Sequence, residues 1–450
     1  MKRLLSLQLL ALPLTCAQLA FSLNTFVTNW FLARASAEAF HAALPGSMLA
    51  VAVSALAIST LGYSGTILAR RHGHGDDVGA CATFHAALLL TLCTLPYFVL
   101  AAPVGHFVLG LFNAKPNVLA AEVAYYDILL ANGFFTVLAA VLGGSFTGQG
   151  RTHLVGAVTV CGFAANMLLA PLFIGGHLGL PVHGIVGAGW AATLAHILPC
   201  LVLGAVRARH PIARGPVRVT RHDALEILRL GLPNGVRSLV DIGGFFAFTA
   251  VLAECPSAAV AASTAAFAVN GVYQAFPQGL AQALEVKVAR TANRLLPTAF
   301  TLTALYAGVF GLVLLLGGQT LLAGFRPAGD DAFLRLFGET ARPLILILGV
   351  KALFESAVQI LQADLRGRHR TLTVFRIQFG SSLLFWVPLF LTVRALHPTI
   401  PALWLTMVAC SALSTFLLAR QTASPSRPLR FFTTENTETG LAGHGMELRK

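Results

Sequence analysis

A chain of 450 residues with 56% hydrophobic and 11% charged residues cannot cover a soluble fold of that size, because soluble domains carry about 25% charged residues. Seven cysteines are too sparse and too odd in number for a disulfide scaffold, and the apolar content excludes disorder over most of the length. The net charge of +13 fits the loop arginines of a polytopic α-helical membrane protein. It does not read as a nucleic-acid footprint, since no basic stretch is interleaved with aromatics on a soluble region.

A membrane-spanning helix takes about 20 residues, so the chain has room for about twelve. Apolar runs between short polar breaks place them near 5–33, 43–69, 81–112, 121–147, 154–176 and 184–206. After a polar segment, six more follow near 227–253, 258–288, 297–325, 333–362, 371–395 and 400–420. Several are long enough to be tilted, kinked or extended past the hydrocarbon. The predicted fold is all-α, with residues 1–206 and 227–420 forming two lobes joined by a cytoplasmic linker at 207–226. A polar tail, 421–450, is expected to be disordered.

Loop charges set the direction. Lys2 and Arg3 precede the first span, Arg70 and Arg71 follow the second, and Arg151 follows the fourth. Arg207 to Arg221 follow the sixth, Arg290 and Arg294 the eighth, Arg366 to Arg370 the tenth, and Arg420 the twelfth. The alternate loops hold few basic residues. Lys and Arg concentrate on the cytoplasmic side, so both termini are expected there, which an even number of spans permits. The first twenty residues also have a signal-peptide look, but the apolar run continues past the poor cleavage site, so cleavage is not expected.

The halves repeat at a shift of about 220 residues. Pro13 falls against Pro233, Ala69 against Ala289, and Gly148-Gln149-Gly150-Arg151-Thr152 against Arg366 to Thr371. Ala170-Pro171-Leu172-Phe173 falls against Val387-Pro388-Leu389-Phe390. Two six-helix units in the same orientation place a substrate site between them, near mid-membrane. This shape favours a transporter over a channel.

The details of the repeat resemble the multidrug and toxic compound extrusion (MATE) family. The carriers are the Leu-Pro start of the first span, Leu68 to Asp76 after the second, Phe146 to Thr152, Asn166, Gly179 to Gly189, Leu230 to Pro233, and Leu365-Arg366-Gly367. Each is weak alone; their order, spacing and repetition carry the resemblance over roughly residues 5–420. It implies twelve helices in two pseudo-symmetric lobes, alternating access, and export of drugs or metabolites against proton or sodium entry. It also implies acids at Asp241, eight residues after Pro233, and at Glu355, eleven before Arg366. The family's first-helix acid falls on Thr28 here, and its fifth-helix Asn or Asp falls on Ala170. The N-lobe ion site therefore looks degraded.

A charge at mid-membrane costs at least about 2.5–3.5 kcal/mol on insertion scales. Four such residues were read well inside spans. Arg237 and Asp241 are four apart on the seventh helix, and Lys351 and Glu355 are four apart on the tenth. Residues at that spacing share a helix face, so each acid has a base one turn away. The family commonly has a non-basic residue, often Tyr, where Lys351 stands. One reading has Asp241 and Glu355 exchanging an ion while Arg237 and Lys351 tune them. The other has a permanent interhelical salt-bridge lock. The basic partners repel sodium, so a proton is favoured as the coupling ion.

Candidate substrate contacts are Asn24, Thr28 and Asn29 on the first helix, with Asn166, Asn270, Tyr273, Gln274 and Gln278. Polar residues in membrane helices are as often interhelical glue. Phe245, Phe246 and Phe248 could stack an organic cation, although packing is the commoner role for phenylalanine. His72 and His74 beside Asp76 and Asp77 sit in a basic loop and are not read as a metal site; no metal or cofactor is expected. The dispersed cysteines show no CxxC spacing, and no catalytic motif appears, so the chain is not read as an enzyme. The expected function is a secondary active exporter of small organic compounds in the bacterial-type inner membrane, acting as a monomer in the bilayer without nucleic acid. The alternatives are a lipid-linked oligosaccharide flippase and a non-transporting paralogue.

Overall fold

The computed structural model describes residues 2–35, 37–110, 116–176, 184–213, 218–252, 255–291, 295–323, 331–396 and 400–423. These form thirteen helices. In chain order they are α1 (Lys2–Ala35), α2 (Ala37–Gly62), α3 (Ser64–Gly73), α4 (Asp77–Gly110), α5 (Pro116–Gly148), α6 (Thr152–Gly175) and α7 (Gly184–Arg209). After the connection come α8 (Arg221–Leu252), α9 (Ser257–Thr291), α10 (Leu296–Ala323), α11 (Asp331–Gly367), α12 (Thr371–Leu396) and α13 (Ile400–Ala423). No strand occurs among the described residues. Every predicted span finds a helix. The second is divided at Tyr63 into α2 and α3, which makes thirteen segments from twelve spans.

Among the described residues, nine helical stretches are long and apolar enough to cross a membrane. The three predicted spans outside that set are α8, α9 and α12. Two of these, α8 and α9, lie where the halves of the molecule meet and hold its polar side chains. Large apolar side chains elsewhere point outward, with Leu316 81% exposed, as lipid-facing residues do.

The helices pack in a repeated pattern. Within the first half α1 packs on α6, α2 and α3 on α5, α4 on α5, and α5 on α7. Within the second half α8 packs on α12, α9 on α11, α10 on α11, and α11 on α13. The halves meet reciprocally, α1 against α9 and α2 against α8. Leu7, Ala11 and Leu14 of α1 join a buried apolar cluster with Leu280, Leu284 and Ile360 of the second half.

Small residues permit the closest approaches, as is usual between membrane helices. A Cβ on Gly65 would lie 2.8 Å from the Gly144 Cα, and one on Gly231 would lie 2.1 Å from the Thr60 carbonyl oxygen. The first contact seats α3 on α5; the second seats α8 on α2 across the halves.

The connection between the halves is shorter than the predicted 207–226, because the helices run beyond the apolar stretches. Arg207 remains in α7, buried, where it donates to Ser145 Oγ at 2.8 Å and to Gln149 Oε1 at 3.1 Å. Its guanidinium lies 3.9 Å from the centre of the Phe146 ring. At the start of α8, Thr220 and Asp223 cap each other reciprocally. The Asp223 amide donates to the Thr220 hydroxyl at 3.3 Å, and the Thr220 amide donates to the Asp223 carboxylate at 3.0 Å. Burial alone would raise the Asp223 carboxyl, but hydrogen bonds from Thr220 and Arg71 outweigh it and hold the group below its ordinary range. The tail expected to be disordered lies almost wholly outside the described residues; its first three residues, 421–423, extend α13.

Candidate functional site

The predicted charge pairs form, and both are intrahelical. On α8, Arg237 Nη1 donates to Asp241 Oδ2 at 2.5 Å, and Arg237 Nε donates to Asn234 Oδ1 at 3.4 Å. On α11, Lys351 Nζ is ion-paired with Glu355 Oε2. The exposures are asymmetric. The Asp241 and Glu355 side chains are 37% and 30% accessible, whereas Arg237 and Lys351 are 16% and 3%. The bases are the more buried members of each pair, and the carboxylates the more accessible. Glu355 is near enough to act electrostatically on Asp241, and Gln378 of α12 is within hydrogen-bonding reach of Asp241. Gln362 donates to Gln378 Oε1 at 3.0 Å. The Lys351 ammonium lies 5.9 Å from the centre of the Trp404 ring of α13. Among the described residues no ion pair joins α8 to α11, so the interhelical lock has no counterpart in this conformation.

Most of the polar residues predicted as substrate contacts serve as interhelical hydrogen bonds. Asn166 of α6 is buried and donates to Asn24 Oδ1 at 2.7 Å and to Thr28 Oγ1 at 3.4 Å, tying α6 to α1. The Asn29 side chain lies outside the described residues. Tyr273 shares a hydrogen bond with Ser356 Oγ at 2.6 Å and stacks on Phe310 with ring centres 4.3 Å apart. Gln274 Oε1 accepts from Gln359 at 2.6 Å. Asn270 is buried, and Gln278 is exposed. Phe248 packs edge-on against Phe267 and Trp404, while the Phe246 side chain lies outside the described residues.

A cavity of about 610 Å³ lies elsewhere, on the first half's side of the seam. None of the seven candidates whose side chains are described lines it. Gln18 and Phe21 of α1, Thr136 and Thr147 of α5, Phe163 of α6 and His196 of α7 form its wall, and Glu285 and Arg366 of the second half reach it. His196 Nδ1 lies 2.9 Å from the Ala192 carbonyl oxygen. A carbonyl only accepts, so Nδ1 carries the proton and the ring's other nitrogen is left as an acceptor. The size suits one drug-sized molecule. The lining is mostly apolar and aromatic, with hydroxyls, the three amides of Gln18, Asn234 and Gln282, and one internally neutral ion pair.

That ion pair belongs to a network which sequence reading missed. Arg366 Nε donates to Glu285 Oε2 at 2.9 Å, and Thr66 of α3 donates to Glu285 Oε1 at 2.8 Å. The Tyr63 hydroxyl donates to the Arg366 carbonyl at 2.5 Å. Its single proton is then spent, so His369 Nδ1, 3.0 Å away, is the donor to Tyr63. Further along the seam, Ser59 and Ser238 hydroxyls are 2.7 Å apart, and Asn234 donates to the Ser59 carbonyl at 3.0 Å. Arg71 reaches α8, with Asp223 at 2.7 Å and Glu226 at 2.5 Å. These bonds between the halves cluster towards the arginine-rich end, where the two halves are closed on one another. The sequence marks Arg366 as an orienting loop arginine and as part of the repeat, without a partner for it. Glu285, an acid inside a predicted span, was the available signal.

A family model described as MatE matches residues 13–172. A probable multidrug resistance protein NorM of Pseudomonas putida is 27% identical over 388 residues, covering 82% of each chain. A NorM of Pseudomonas aeruginosa is 29% identical over 410 residues, covering 84% of this chain and 80% of its own. The multidrug resistance protein PmpM of the same species is 26% identical over 304 residues, covering 64% and 62%. Among solved structures, a MOP superfamily transporter from Pyrococcus furiosus superposes with a TM-score of 0.77 at 19% identity, over 93% of this chain and 95% of that one. An outward-facing conformation of a MATE family multidrug resistance transporter superposes with a TM-score of 0.76 at 20% identity, over 93% and 96%.

Proposed function

We propose that the chain is a member of the multidrug and toxic compound extrusion family and works as a multi-pass membrane efflux transporter. It carries small organic compounds by alternating access, in the cavity on the first half's side of the seam. The observation that carries this reading is the placement of the 610 Å³ cavity directly above a seam closed at one end. By the distribution of basic loops the closed end is cytoplasmic, both termini lie on that side, and the membrane is the inner membrane. The conformation is then outward-facing. Rocking to the other state must break the Arg71 and Glu285 contacts between the halves.

Coupling is assigned to Asp241 and Glu355. Each carboxylate is the more accessible member of its pair, with a base fixed one turn behind it. Protonation would release the base, and the helix face would repack, so that a proton can bias the two states. The bases disfavour a second cation beside the carboxylates, which favours protons over sodium. The protein works as a monomer in the lipid bilayer. The largely apolar, internally neutral cavity suits amphiphilic aromatic compounds better than a pyrophosphate-linked sugar, which supports the exporter over the flippase reading.

The test is efflux in a drug-sensitive bacterial host. Expression should lower accumulation of a cationic dye such as ethidium, and a protonophore should abolish the effect. Unchanged accumulation over a broad panel of dyes and drugs would count against export.

A further inference from the structure

A second, smaller cavity of about 190 Å³ lies at the arginine-rich face, between α1, the α5–α6 turn and the end of α9. Its lower wall is apolar, formed by Leu10, Ala283 and Val286; its upper part is formed by Lys287, Arg290 and Thr152. Lys287 and Arg290 are close enough to repel one another. Neither has a carboxylate partner among the described residues. Lys287 donates only to Ser6 Oγ, at 2.7 Å. Arg290 lies over Gly150, whose φ of +82° bares its backbone; a Cβ there would come within 2.3 Å of Arg290 Nη1. Two unpaired cations held together at a closed seam lack an anion.

The third component is the start of α6. This helix has 24 residues, and its N-cap, Arg151, makes no side-chain capping bond. Its first amides therefore point outward uncapped, with the positive end of the helix dipole behind them. Thr152, its first residue, is 97% buried and lines the cavity beside Lys287 and Arg290, where its hydroxyl can donate to a bound anion.

From this convergence we infer a binding site for a phosphate group, carried by an anionic phospholipid whose glycerol and first chain carbons rest on Leu10, Ala283 and Val286. The phosphate oxygens accept from Lys287, Arg290, the Thr152 hydroxyl and the α6 amides. Because α6 belongs to the first half and α9 to the second, the bound headgroup ties the halves together at the closed end. This site goes beyond the transport reading and does not depend on it.

The test is native mass spectrometry of the full chain in neutral detergent, titrated with phosphatidylglycerol, phosphatidylcholine or inorganic phosphate. Phosphatidylglycerol should bind at least tenfold more tightly than phosphatidylcholine, and K287Q/R290Q should lose that preference. The charge-conserving K287R/R290K should retain it, which separates a lost site from a misfolded variant. Thr152→Val, with both cations kept, should weaken binding several-fold. Equal binding of the two lipids, or undiminished phosphatidylglycerol binding by K287Q/R290Q, would overturn the site. Equally tight binding of inorganic phosphate would overturn its assignment to a lipid.

Discussion

Replacing Glu285 by Gln should loosen the closed end of the transporter. Glu285 accepts from Arg366 within its own half and from Thr66 across the seam. The Arg366 pair lies within one half and persists in both states, so its loss does not itself separate them. The Thr66 bond does cross the seam, and the amide turns it from a charge-assisted hydrogen bond into a neutral one. Hydrogen bonds to charged groups contribute about 1.5–3 kcal/mol and neutral ones about 0.5–1.5 kcal/mol. The closed state should therefore lose about 1 kcal/mol, and the closed-to-open ratio should drop about 5-fold. Double electron–electron resonance between spin labels at Arg209 and Thr291, exposed positions on opposite halves, would read it. Wild type should give one short distance, and E285Q a growing long component. An unchanged distribution would refute the assignment of this network to the gate.

Gly231→Ala should act at the same seam by sterics. Its Cβ would meet the Thr60 carbonyl oxygen at 2.1 Å, backbone against backbone, so the same labels should report separation and transport should fall at least tenfold. Asn166→Ala should unfasten α6 from α1 by removing its bonds to Asn24 and Thr28. A loss of about 1–2 kcal/mol in stability is expected, read as a lower thermal midpoint in detergent, with the dye-binding affinity little changed. The fold should also be acid-sensitive through His369. Burial, and then the Arg70 charge, push this residue down to about 4, and its Nε2 is buried without a partner. The unfolded chain takes up the proton near 6.5 and the folded one only near 4. Stability is therefore full above pH 6.5 and declines as pH falls towards 4, by up to about 3 kcal/mol. His369→Asn should flatten the thermal midpoint against pH over that window.

The spans were legible because apolar runs of membrane length leave few alternatives, and the i, i+4 pairs were legible because helical spacing alone places each base beside its acid. The burial of those pairs was not legible: spacing cannot say that Lys351 is buried while Glu355 stays accessible. The roles of the predicted substrate residues were not legible for a related reason. Asn166, Tyr273 and Gln274 are polar within spans, but polarity marks a need for a hydrogen bond without saying whether a helix or a ligand supplies it. Glu285 and Arg366 were missed because their neighbours Thr66, Tyr63 and His369 come from the other half or another loop. Arginines at span ends read first as topology markers. The division at Tyr63 was hidden too, since Gly62 to Gly65 interrupts the helix without interrupting the hydropathy.

Coupling at Asp241 and Glu355 is the central claim, and reconstituted transport tests it most directly. Wild type, Asp241→Asn and Glu355→Gln would be placed in proteoliposomes with an imposed pH gradient, and separately with a sodium gradient, and dye movement followed. Wild type should respond to the pH gradient. Each variant should still bind the dye but lose gradient-driven movement by at least tenfold. Wild-type rates in both variants, or drive by sodium alone with no response to pH, would contradict proton coupling at these two carboxylates.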